Sequence, residues 1–172
     1  MPRSFTATTI TLIPKIDSPQ TWSDFRPIFL YNVTNKIMTK LSYNKLAPVL
    51  PTLISPSQSG FVPGRLIGDN ILMVQELTHS LDLRYSKGNV ILELDMSKAY
   101  DRLRWKFLYS VMSRMGFPRR FMHLIKQAVK SCLVYYAFKM VKLLAFFKST
   151  HGFRQGDPIS PSLFIIAAEA LF

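Results

Sequence analysis

A lone cysteine, Cys132, and three histidines leave little for sulfur or imidazole chemistry. One cysteine excludes an internal disulfide, and so few Cys and His argue against a structural zinc centre, so Cys132 reads as a core residue. Acidic residues are scarce as well: 10 Asp and Glu stand against 22 Lys and Arg, a formal net charge of +12. That imbalance argues against a neutral metabolite as the main partner and favours a polyanion, nucleic acid first and anionic membrane second. Long apolar runs are missing too. The start, MPRSFTATTITLIPK, holds no stretch of signal-peptide length, and LFIIAAEALF near the end is short and interrupted by Glu169. These absences predict a soluble intracellular chain, nuclear or cytoplasmic, with no signal peptide or transmembrane segment. No repeat, low-complexity segment or Gly/Ser linker marks an internal boundary, which predicts one domain or a piece of one.

What is present suits such a domain: 172 residues at 48% hydrophobic can bury a core. The charge is uneven, because Arg102 to Gly156 holds twelve Lys and Arg and no Asp or Glu. Scattered cations usually form a solvated face, but an acid-free third of the chain favours a polyanion. The periodicities mix helix and strand, an α+β pattern. TATTITLIPK is rich in β-branched residues and stops at Pro14, which predicts a short edge strand. VTNKIMTKLSYNKL spaces Val33, Ile37, Met38, Leu41 and Leu46 as an amphipathic helix. After the turn-rich PSQSGFVPGR, Asp69 reads as the N-cap of a helix with Ile71, Leu72, Leu77 and Leu81 inward.

NVILELD alternates as a strand and brings Asp95 to its C-terminal end. Helical spacing returns from Ala99 with Leu103, Phe107, Leu108, Met112 and Met115 inward and Gly116 as the stop. Pro118 opens a further helix through Phe121, Leu124, Ile125, Ala128 and Cys132. LVYYAF and VKLLAFF read as a hairpin, and Ser160 with Pro161 opens a last buried helix. A carboxylate ending a strand, followed by a helix and a basic flank, marks a site rather than a packing residue. Phosphoryl transfer would give it a purpose, since carboxylates hold the Mg²⁺ that neutralises developing charge. By spacing alone, however, Asp95 reads better as a helix N-cap or a surface ion pair with Lys98 or Arg102 than as a site residue.

Several stretches together resemble the reverse transcriptase of non-LTR, LINE-type retrotransposons, especially the plant elements. TLIPK, DFRPI, SQSGFVPGRLIGDN, LDMSKAYDRLRW, GFRQGDPISPSLF and the closing AEALF occur in the family's order, from about Ile10 to the last residue. The resemblance implies a partial right-hand polymerase, fingers-like over about 1–86 and palm-like but incomplete over about 87–172, with an antiparallel palm sheet and packed helices. It implies RNA template, DNA primer and deoxynucleoside triphosphates as partners, and two Mg²⁺ ions roughly 3.5 to 4 Å apart in the complete domain. Asp95 would be the first metal-binding catalytic aspartate. Tyr100 would crowd the sugar 2′ carbon and exclude a 2′-OH. Gln155 and Gly156 match the loop over the incoming nucleotide, where Gly permits close backbone approach and the amide bonds base or sugar. Arg26 and Arg65 occupy fingers positions where a guanidinium suits phosphate, or equally a buried structural role.

Asp101 belongs to the motif but reads as an ion-pair partner of Lys98, Arg102 or Arg104, and Asp157 as a turn residue. Glu93 faces the same way as Asp95 and is not assigned to catalysis. Arg104 and His151 depart from the family pattern, and the hairpin lacks the usual Asn-Gly at Met140 and Val141. The family's adjacent Asp pair is absent from these 172 residues. The resemblance therefore predicts a remnant that does not polymerise alone, with an unpaired palm edge and marginal stability. A non-catalytic nucleic-acid-binding remnant and an inert pseudogene product are the alternative readings.

Overall fold

The computed structural model describes residues 8–79, 90–130, 133–138 and 142–171. The β-branched run Thr8–Pro14 forms β1, and Phe25–Tyr31 forms β2, its antiparallel partner, with Thr8 opposite Tyr31 and Pro14 opposite Phe25. Their connection closes through the Lys15 N–H, which donates to the Asp24 carbonyl at 2.7 Å, and a 3-10 turn at Trp22–Asp24. Helix α1, Val33–Leu46, is capped by Asn32, whose side-chain oxygen accepts the Thr34 N–H at 3.0 Å. There follow α2 (Leu50–Leu53), α3 (Ile67–His79), the single turn α4 (Ala99–Arg102), α5 (Trp105–Arg114) and α6 (Arg119–Lys130). Strands β3 (Leu133–Phe138) and β4 (Lys142–Lys148) form the expected hairpin, whose turn lies outside the described residues. Helix α7, Ser160–Ala168, completes the fold with a 3-10 turn at Glu169–Leu171.

The sheet order is β2-β1-β3-β4, with β1 parallel to β3 and the other two pairs antiparallel. The α+β class stands, but two details change. The sheet is mixed rather than antiparallel, because the chain between β1 and β3 passes through helices, the long crossover that parallel pairing requires. And β1 is an interior strand, not an edge. Its proline is the last residue, where a missing N–H breaks no interior ladder bond, while Pro27 lies in the true edge strand β2.

The core sits among α1, α2, α5, α6 and α7. Leu46, Leu50, Leu108, Met112, Ile125, Leu163 and Ile166 pack there with Phe153 and Ile159. Helix α7 is apolar nearly all round, as a helix covered on every side must be. Glu169 ties its end to the loop after α2, accepting the Ser55 N–H at 2.9 Å. Gly116 does close α5, at φ +80°.

Other expectations are corrected. Residues 90–95 are not a paired strand: among the described residues nothing lies in ladder register with them, and Val90 is 90% and Leu92 78% exposed. Alternation specifies two faces, but a strand also needs a neighbour for its N–H and C=O groups, and β1 to β4 pair only with one another. Helix α1 buries only part of its expected apolar set, Leu46 fully and Met38 by half. Asn35, Thr39 and Leu46 are buried while Val33, Ile37 and Leu41 are exposed. Helix α3 begins at Ile67, two residues before Asp69, and Ile71, Leu72 and Leu77 are exposed. The helix expected from Ala99 is broken at Leu103, so Trp105, not Phe107, fills the inner position. Ile159, not Ser160, is the N-cap of α7. Leu81 and Cys132 lie outside the described residues.

Candidate functional site

The chain folds TLIPK, DFRPI, KAYD and RQGDP around one open cleft of about 1400 Å³. One wall is the β1–β2 hairpin, with Lys15, Trp22 and Arg26. The other is built from Lys98 to Asp101 and from Arg154 to Pro161. The volume exceeds the range of about 300–1,000 Å³ usual for one small ligand.

Each wall is held by identifiable contacts. Asp24 accepts hydrogen bonds from the Gln20 N–H at 3.0 Å, the Thr21 N–H at 2.8 Å and the Thr21 hydroxyl at 2.9 Å. Those bonds, with Lys15 adding a weak attraction, hold its carboxyl below the ordinary carboxylate range. The Lys15 ammonium donates to the Ser23 carbonyl at 2.8 Å, which brings a cation to the cleft rim. Trp22 stands 79% exposed on the same wall, tilted against Phe25.

The opposite wall is a clamp between two sequence-distant segments. Gly152, at φ +79°, donates its N–H to the Leu103 carbonyl at 2.9 Å, and Phe153 donates to the Tyr100 carbonyl at 2.8 Å. The Trp105 indole N–H returns a bond to the Gly152 carbonyl at 2.8 Å. A side chain at Gly152 would meet the Asp101 carbonyl oxygen at 2.9 Å, so only glycine lets the strands of this clamp approach. Tyr100 is thereby fixed between two rings, stacked on Phe164 at 5.0 Å and edge-on to Phe153 at 6.3 Å. Burial pushes its hydroxyl pKa up. Lys98, just before, adopts φ +54°, a left-handed conformation that costs energy outside glycine and often marks functional sites.

Beneath the loop lies a buried polar knot. Arg154 donates to the Ala128 carbonyl at 2.9 Å and faces the Asp157 carboxylate at 3.9 Å. Asp157 also accepts the Ile159 N–H at 3.3 Å. Desolvation pushes its carboxyl pKa up, with Arg154, Ile159, Thr39 and Lys36 opposing in that order. The expected turn residue is thus a buried ionisable group joining α1, α6 and α7.

Four of the expected site residues therefore converge: Arg26, Tyr100, Gln155 and Gly156 all line the cleft. Gly156 sits at φ +87° with nothing within 4 Å of its Cβ position. Arg65 does not join them. Its guanidinium is spent on four carbonyls, donating to Gln58 at 2.6 Å, to Pro51 and Ile54 at 2.9 Å each, and to Ser55. Two of those carbonyls belong to the end of α2, where a cation is favoured. Asp95 is exposed and outside the cleft lining. Asp101 lines the cleft and makes no ion pair among the described residues, contrary to expectation. Sequence reasoning did not mark Lys15, Trp22 or Arg154 and gave Lys98 only an ion-pair role, although Lys15, Lys98 and Arg154 stand inside the quoted motifs.

Among the described residues no group of three or more His, Cys, Asp or Glu side chains comes together, and no helix is long and apolar enough to cross a membrane. The cleft lining carries the cations Lys15, Arg26 and Lys98 against the carboxylate of Asp101, which has no ion-pair partner among the described residues; a net positive lining beside an apolar, ring-lined flank is a chemistry suited to an anion.

The sequence model of the family described as reverse transcriptase (RNA-dependent DNA polymerase) matches residues 13–172. An uncharacterized 149 kDa protein of transposon TX1 from Xenopus laevis is 32% identical over 171 residues, 98% of this chain. The retrovirus-related Pol polyprotein from type-2 retrotransposable element R2DM of Drosophila melanogaster is 28% identical over 177 residues, 99% of this chain. This chain spans 13% and 16% of the length of those two relatives.

Proposed function

This chain belongs to the reverse transcriptase (RNA-dependent DNA polymerase) family, and from that premise we propose that its cleft receives the incoming deoxynucleoside triphosphate of a LINE-type retrotransposon polymerase. The convergence of Arg26, Tyr100, Gln155 and Gly156 on one cleft is the observation that carries this reading. Lys15, Arg26 and Lys98 attract the triphosphate, with the Arg fork adding directional bonds. The Tyr100 ring is held by Phe153 and Phe164, and in this reading it crowds the sugar 2′ carbon so that a 2′-OH is excluded. The Gln155 amide bonds base or sugar, and Gly156, with nothing within 4 Å of its Cβ position, adds no side chain to the cleft. The cleft's spare volume accommodates a DNA primer end on an RNA template. A fingers-like part over about 1–86 and a palm-like part over about 87–172 accord with a cleft that draws one wall from each.

Reverse transcriptases generally use a divalent metal, typically Mg²⁺. The described residues do not assemble a ligand set for two such ions. Asp95 remains the proposed first ligand on its motif alone, and Arg65 takes the structural one of its two roles.

The test of the cleft is Trp22 fluorescence during titration with deoxynucleoside triphosphate. Quenching is expected, with affinity at least five-fold weaker in Arg26→Gln and selectivity over ribonucleotides relaxed in Tyr100→Ala. No quenching, or no loss in Arg26→Gln, overturns the reading. Primer extension with Mg²⁺, in a polymerase-active form that contains these 172 residues, tests the metal role separately: extension retained in Asp95→Asn removes Asp95 from the site. The acid-free stretch from Arg102 to Gly156 favours a second reading, nucleic-acid binding without reaction. Salt-sensitive binding that is indifferent to Mg²⁺, without nucleotide binding, would select it.

A further inference from the structure

Helix α6, Arg119–Lys130, has one side in the core and one in solvent. Ile125 and Ala128 are buried, with Phe121, Met122 and Val129 packed against the core, while Arg119, Arg120, His123 and Lys126 are exposed. Arg119, His123 and Lys126 fall at i, i+4 and i+7, one row along the outer face. At 1.5 Å per residue the row from Arg119 to Lys126 is about 10.5 Å long, enough to span about three successive phosphates of one strand.

Among the described residues no carboxylate forms an ion pair with these side chains. The helices packed against α6 are α1 and α5, and neither contains an Asp or Glu. Asp157, reached through Arg154 and the Ala128 carbonyl, is buried beneath the helix. The two arginines also occupy the first turn, with no acidic residue there. That is the positive end of the helix dipole, where cations are disfavoured and a bound anion would offset both.

We propose that the outer face of α6 is a nucleic-acid-binding surface distinct from the nucleotide cleft, gripping a strand through its phosphates. A lipid surface fits less well, because a helix that lies in a membrane interface presents large apolar side chains beside its cations, and here the exposed side offers only Leu124. The inference stands on the charge of this surface and is independent of which residues handle the nucleotide.

The test is binding of a labelled single-stranded RNA 20-mer, followed by fluorescence anisotropy across a salt series. Arg119→Gln/Lys126→Gln is compared with Lys45→Gln/Lys106→Gln, which removes the same charge from exposed positions on α1 and α5. Losing two phosphate contacts should lower the salt slope by about 1.4 and weaken binding at 0.1 M salt by roughly 25-fold. The matched variant should lose much less. Equal loss in the two variants means diffuse attraction by net charge and overturns the proposal, as does an unchanged α6 variant. Acetylation of the unsubstituted chain gives a readout free of any folding defect: RNA should protect Lys126 and leave Lys45 and Lys106 reactive. Absence of that protection also overturns it. Vesicles containing phosphatidylserine form a further arm, and binding to them that depends on Arg119 and Lys126 while RNA binding does not would assign the face to membranes instead. Trp22 quenching by nucleotide should be the same in the α6 variant, so the cleft reading and this one can fail separately.

Discussion

Replacing Gly152 by alanine probes the contact that holds the two halves of the cleft wall together. The new Cβ would lie 2.9 Å from the Asp101 carbonyl oxygen, 3.1 Å from its Cα and 3.2 Å from the Tyr100 carbonyl oxygen, all backbone atoms that cannot rotate aside. The φ of +79° adds a left-handed cost of about 1–2 kcal/mol for a residue with a Cβ. Relieving the overlap by shifting packed backbone adds about 1–3 kcal/mol. The total, roughly 2–5 kcal/mol, is a large share of the 5–15 kcal/mol typical of a folded domain. Gly116 supplies the control, because its φ of +80° is nearly the same and nothing lies within 4 Å of its Cβ position. Gly116→Ala should therefore lose only the backbone part, about 1–2 kcal/mol. Urea unfolding of both variants measures the difference, and the nucleotide affinity of Gly152→Ala should also fall because Tyr100 and Gln155 move apart. If the two alanine variants are equally stable, the close approach of Gly152 to Asp101 is not what holds this wall.

Trp105→Phe keeps a ring in the core but deletes the indole N–H bonded to the Gly152 carbonyl, and should cost about 1–3 kcal/mol by denaturant titration. Phe164→Ala removes the ring stacked on Tyr100, so deoxy-over-ribonucleotide selectivity should fall while Arg26-dependent affinity persists, read by Trp22 titration with both nucleotides. Asp157 should make stability pH-dependent: with its folded pKa raised above 3.8, its contribution is complete at pH below that value and is lost as pH rises through the folded pKa. The stability of the parent relative to Asp157→Asn should accordingly decline from pH 4 upward, and a difference that grows with pH would contradict the burial of that carboxyl. Leu92→Ser, on the exposed 90–95 segment, should change unfolding stability by no more than about 0.5 kcal/mol, whereas a strand packed on its apolar face would lose several times that.

Much of the site was legible because its residues sit in short local motifs. Tyr100, Gln155 and Gly156 could be named before any coordinate because their motifs resemble those of a known family, and the fold brings them to one cleft. Arg26 and Arg65 show the limit of that method. Both were read as phosphate ligands or structural cations, and only packing separated them: one lines the cleft, the other ends on four carbonyls at the end of α2 and in the loop after it. Helix α1 is a similar case. Its apolar periodicity identified a helix, but the polar residues Asn35 and Thr39 are buried on it, and Thr39 meets the buried Asp157, a residue more than a hundred positions away.

The amino-acid sequence by itself determined the α+β class, the hairpin of β3 and β4, the order of the motifs, the excess of cations and the membership of the family, because these follow from local patterning and composition. The tertiary structure decided that β1 lies inside a mixed sheet, that 90–95 is left without a partner among the described residues, and that Lys15 and Lys98 share a cleft. It also decided that Gly152 is locked against Asp101. Those outcomes rest on contacts between distant segments, where free energy depends on which groups leave water together, and no window of sequence contains both partners.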